Sequence, residues 1–168
     1  MSAPASRPNG HASAALAALA QALAPTKTAQ QRGRGSRTKG QTGEREVAAI
    51  LKELTGRDVR RRVRQHDGDS DLEGVPGWSV EVKRHAAAPP GKLAEWWGQT
   101  LSQARDAQAL PVLFYRADRA GWRCVWPAAL HLPDRPAVTA SILDTLDADP
   151  LTWWRMTKHI KAGVRVLP

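Results

Sequence analysis

Residues 78–85, Trp-Ser-Val-Glu-Val-Lys-Arg-His, constrain the fold more than any other stretch. Val80 and Val82 alternate with Glu81 and Lys83, the period-two pattern of a strand with one face on a core. Glu81 and Lys83 then share the opposite face, with Lys83 about 7 Å along the strand from Glu81. Gly74, Pro76 and Gly77 supply a turn before the strand. Centred on Pro76, that turn sets Asp71 across from Glu81, where opposed Cβ atoms are about 5 Å apart. Two carboxylates that close repel, which raises one pKa unless a cation sits between them. Mg²⁺, with Mn²⁺ as its substitute, suits such a pair: hard oxygen ligands, few protein contacts, and water or phosphate for the rest. Lys83 has two jobs open to it beside a phosphate, holding or activating a water and neutralising charge on a pentavalent transition state. Glu73 is an alternative to Asp71, less well placed because it lies in the turn.

The flanking segments predict an α/β sandwich around a mixed central sheet. Residues 42–55 read as a helix capped by Thr42, closed by Gly56, and apolar at Val47, Ile50, Leu51 and Leu54. Glu44 falls at the core edge of that face, so it is expected as a third carboxylate, whereas Glu46 suits the helix dipole. Residues 58–65 alternate Val59 and Val63 with arginines and read as a basic edge strand. Residues 92–109 read as a second helix burying Leu93, Trp97, Leu101 and Ala104. Residues 111–116 form a strand buried on both faces, and 122–126 a further strand. Asp149 caps a helix expected from Pro150 to about Gly163.

Charge points to the partner. The chain carries +9 with a pI of about 10.6, a balance that favours an anionic partner, nucleic acid first. Residues 1–43 hold Arg7, Lys27, Arg32, Arg34, Arg37 and Lys39 without one Asp or Glu, leaving +3 for residues 44–168. Residues 1–38 are therefore expected to be a disordered basic arm. An organelle transit peptide or weak secretory signal is the second reading of that arm. A lone cysteine, Cys124, excludes a disulfide framework and a cysteine zinc site, and fits the cytoplasm. No run of eighteen apolar residues is present.

Asp71, Glu81-Val82-Lys83 and the upstream Glu44 resemble the PD-(D/E)XK nuclease signature. More narrowly, Lys-Gly-Gln-Thr-Gly-Glu-Arg-Glu at 39–46 is similar to the opening of archaeal-type Holliday junction resolvases. Residues 109–125 are similar to the strand pair after the second helix in those enzymes, so the likeness spans roughly 37–127. It implies a restriction-endonuclease-like core at 39–130 and a C-terminal extension at 131–168 with a Trp-rich helix. It also implies a metal held by Glu44, Asp71, Glu81 and the Val82 carbonyl, with Lys83 assisting water attack. DNA contacts are implied for Lys39, Arg45, Arg60, Arg62 or Arg64, Ser70 and Arg84. A homodimer follows, because cutting a four-way junction symmetrically takes two sites. Three departures stand out: Ser70 occupies the place where the family often has proline, the hairpin is a few residues short, and the arm before residue 37 and the Trp-rich tail after 130 have no counterpart in the family.

Other residues carry weaker signals. Gln99 and Gln103 are candidates to orient water or metal, and His66 and His85 flank the site. Trp96, Trp97, Trp122 and Trp126 are expected in the core or a dimer interface, Trp153 and Trp154 on a docked helix, and Cys124 as a packed thiol. The alternatives to a junction-cutting enzyme are another nuclease of the superfamily and a non-catalytic basic DNA-binding protein of the same fold.

Overall fold

A computed structural model describes residues 29–62, 70–133 and 138–160, with side chains from Thr38 onward. The expectations for Val63, Arg64, His66 and the helical residues after 160 lie outside the described residues. The chain divides into two units, 1–35 and 36–168; of the first, only the helical residues 29–35 are described.

Helix α1, Ala29–Thr55, is 27 residues long, which corrects the expected start at Thr42 and crosses the boundary drawn at residue 38. Thr42 is no cap. Its hydroxyl donates to the Thr38 carbonyl at 2.8 Å, one turn back inside the helix. Gly33, Gly35 and Gly40 each weigh against helix by roughly 1 kcal/mol, but the Gln, Arg and Lys residues around them are good formers and no proline intervenes. Gly56, at φ +69°, ends the helix and donates its N–H to Lys52 O at 2.9 Å. Of the expected apolar face Val47 and Leu51 are buried and Ile50 and Leu54 partly so, and Ala48 is buried beside them.

The basic strand is shorter than expected: β1, Arg60–Arg61, pairs antiparallel with β2, Leu72–Glu73. Gly74 joins β2 to the turn at φ +96°, and a Cβ there would stand 2.3 Å from the Asp58 carbonyl oxygen. Only glycine fits.

Strand β3, Trp78–His85, runs parallel to β4, Leu110–Ala117, with Glu81 paired to Leu113 and Lys83 to Tyr115. Parallel neighbours need a crossover, and helix α2, Pro90–Asp106, provides it. Strand β5, Arg123–Pro127, is antiparallel to β4. A fourth strand that the sequence reading did not contain, β6 at Thr145–Ala148, is antiparallel to β5. The sheet order is β3-β4-β5-β6, so the sheet is mixed.

Side-chain alternation gives the sheet two cores. Val80, Val82, Val112, Phe114, Cys124 and Trp126 pack with α1 and with Trp153 of helix α3, Pro150–Thr157. Leu113, Tyr115 and Val125 pack with Trp96, Trp97 and Leu101 of α2. Trp97, Trp126 and Trp153 are fully buried and fill these layers. Helix α3 is shorter than expected, but Asp149 caps it, accepting from the Leu151 and Thr152 N–H groups. Burial pushes the Cys124 thiol far up from its ordinary pKa. Among the described residues no helix is long and apolar enough to cross a membrane.

Candidate metal and DNA site

Strand β3 carries the chemistry because its two faces have different neighbours. Val80 and Val82 anchor it in the α1 side of the core, which turns Glu81 and Lys83 to the other side. Glu81 is 5% exposed, and Lys83 Nζ lies 2.6 Å from Glu81 Oε1. A carboxylate this buried needs a partner, and Lys83 supplies one.

Asp71, 2% exposed, reaches the same segment from the loop before β2. Its N–H donates to Val80 O at 2.9 Å, and its Oδ2 accepts the Val82 N–H at 2.8 Å. It therefore brackets Glu81 along the outer edge of β3. The expected opposition across a hairpin ladder takes another form, since β2 pairs with β1 rather than with β3. Arg62 N–H donates to Asp71 O at 2.9 Å, which ties the arginine strand to this loop.

Glu44 lies on α1. It is held by the Arg61 Nε, both groups being partly buried. Among the described residues no group of three or more His, Cys, Asp or Glu side chains is placed to hold a metal ion. Asp71 and Glu81 thus meet at one segment of β3, Asp71 from the loop and Glu81 from the strand, while Glu44 on α1 is paired with a guanidinium. Hard oxygen donors flanking one strand segment still fit Mg²⁺, which takes one or two protein carboxylates and keeps water or phosphate for its remaining positions.

The expected DNA-binding residues scatter. Arg45 is exposed on α1. Arg60 is exposed and pairs with Glu73 at 3.1 Å and Asp58 at 3.4 Å. Arg62 lines a cleft of about 280 Å³ with Ser70, Glu73 and Ser79. Lys39 pairs with Asp118 at 2.5 Å. Ser70, expected at the DNA backbone, is 7% exposed, with its hydroxyl bonded to the main chain of Leu72 and Val80. Arg84 turns to Glu46 at 2.8 Å, and Arg116 and the Trp122 indole N–H bond the same carboxylate at 3.0 and 3.1 Å. Glu46, read as a dipole partner, is in fact the pin between α1 and the ends of β3 and β4. Gly43 lets the helix approach there, since a Cβ would lie 3.1 Å from Arg84 Cβ.

Gln103 is buried on α2 and Gln99 is exposed. The His85 ring, next on the Glu81–Lys83 face, stacks on Trp96 with centroids 4.6 Å apart. Burial foremost, then Lys83, Lys92 and Lys39, lower its pKa against the opposing pull of Glu95. Arg61, read with its neighbours as one of a row of phosphate-contacting arginines, pairs with Glu44 instead. The signal that singles it out, contact with Glu44, exists only in three dimensions.

Residues 35–147 match the family model described as "Phage putative PDDEXK endonuclease". A solved structure, Hjc of Archaeoglobus fulgidus, a Holliday junction resolvase from an archaeal hyperthermophile, shares 20% identity with this chain. That match covers 67% of this chain and 84% of the other, with a TM-score of 0.40. No curated protein matches the chain.

Proposed function

The chain belongs to the phage PD-(D/E)XK endonuclease family, and from that premise we propose that it is a Mg²⁺-dependent endonuclease that hydrolyses the backbone of branched DNA, four-way junctions foremost. The observation that carries the reading is that Asp71, from the loop before β2, bonds the β3 segment that carries Glu81, with Lys83 beside Glu81. Asp71 and Glu81 would hold the ion. Bound there, Mg²⁺ supplies charge neutralisation at a phosphoryl oxygen and a water of lowered pKa. Lys83 holds the attacking water and stabilises negative charge developing on the phosphorus oxygens. The exposed Arg45 and the cleft-lining Arg62 hold flanking phosphates and fix the register of the DNA. The preference for junctions rests on the resemblance of residues 39–46, and symmetric cutting makes the working unit a homodimer.

The test is a panel of four-way, forked, nicked and linear DNA incubated with Mg²⁺. The junction should be cut fastest, EDTA should abolish cutting, and Mn²⁺ should restore it. Glu81→Gln and Lys83→Ala should each slow cleavage by roughly 10²–10⁴-fold while leaving DNA binding in place. Equal cutting of linear duplex would overturn the junction preference. Binding without cleavage under any divalent ion would leave a DNA-binding protein instead of an enzyme.

A further inference from the structure

Among the described residues no ladder covers the outer edge of strand β3, and β2 pairs with β1. Three groups on that edge nevertheless have partners: the Val80 N–H, the Val80 carbonyl and the Val82 N–H. The Val80 N–H goes to Ser70 Oγ at 2.9 Å, and the Val80 carbonyl takes the Asp71 N–H at 2.9 Å. The Val82 N–H goes to Asp71 Oδ2 at 2.8 Å. The Ser70 hydroxyl spends its own proton on the nearby carbonyls, Leu72 O at 2.9 Å and Val80 O at 3.1 Å. One buried side chain thus bonds β3 on one side of Asp71 and the loop on the other.

We propose that Ser70 is a positioning residue: its hydroxyl replaces the missing ladder and sets the Asp71 carboxylate beside Glu81. The inference rests on reading Asp71 and Glu81 as the metal-holding pair, and it assigns Ser70 a task other than touching DNA. The physical reason is register. Two main-chain bonds, Asp71 N–H to Val80 O and Arg62 N–H to Asp71 O, place the Asp71 backbone, and the Ser70 hydroxyl adds a third tie between that loop and β3. Proline in this position would restrict φ but offer no group to Val80. Serine does the second job. With Asp71 Oδ2 fixed on the Val82 N–H, the orientation of the whole carboxylate is set.

The experiment compares full-length chain with Ser70→Ala and Ser70→Thr by amide hydrogen exchange, Mn²⁺ titration without DNA, and junction binding in EDTA. In Ser70→Ala the amides of both Val80 and Val82 should exchange at least about tenfold faster, and Mn²⁺ should bind roughly 10–100-fold more weakly. Junction binding should stay unchanged, and Ser70→Thr should restore exchange and metal affinity. Ser70→Cys, which keeps the shape but weakens the bonds, gives the same readout should Ser70→Ala not fold. Faster exchange at Val80 with Val82 unchanged would overturn the proposal, because Asp71 would then hold its place alone. Loss of junction binding with normal Mn²⁺ affinity would overturn it too, returning Ser70 to the DNA. Should the wild-type chain bind no Mn²⁺ while both amides still respond, the positioning role stands and the metal-dependent reading falls.

Discussion

Tyr115 donates its hydroxyl to Asp147 Oδ2 at 2.7 Å, and Arg123 Nε donates to Asp147 Oδ1 at 2.8 Å, so one carboxylate on β6 gathers partners from β4 and β5. Burial, and then the Asp147 carboxylate, push the Tyr115 pKa from 10.0 up to about 12. A folded state that holds its proton more tightly than the unfolded chain loses stability as pH rises between those two values. Chemical denaturation should therefore show full stability below about pH 10 and a decline toward about pH 12. Tyr115→Phe should remove that decline, and an unchanged profile in the variant would count against the contact. At this scale the sequence is legible where the period decides. Val80 and Val82 inward with Glu81 and Lys83 on the other face follow from alternation alone. The pairings of Glu44 with Arg61 and of Glu46 with Arg84 do not, because each joins groups that the chain brings together only by folding.

Between β2 and β3, Gly74 passes so close to the Asp58 carbonyl that any side chain collides with backbone, which cannot swing aside. Gly74→Ala should destabilise the fold by more than about 1 kcal/mol, from steric and φ strain together, measurable as a fall in the urea midpoint. A midpoint within error of wild type would refute the close approach. Elements announced by strong punctuation were readable: Asp149 and Pro150 open α3, and an apolar run makes β4. Two were not. Strand β6, Thr-Leu-Asp-Ala, has neither length nor alternation and owes its existence to the open edge of β5. Helix α1 runs on through glycines that propensity alone treats as stops.

The molecule as a whole combines a nearly balanced body with six cationic residues and no carboxylate among its first 43 residues. DNA affinity should fall steeply with salt: about six phosphate contacts would cost on the order of 10³-fold between 50 and 200 mM. Replacing Arg32, Arg34 and Arg37 by Gln should flatten the log–log slope by roughly one for each arginine that meets a phosphate, read by titration at several salt concentrations. An unaltered slope would assign those charges to solubility. The chain's lone sulfhydryl, sealed in β5 at 0% exposure, has a practical corollary. Thiol-seeking dyes should ignore the native protein, so a cysteine engineered at any outward position would accept label by itself and give a clean fluorescent ruler for how the enzyme grips its substrate.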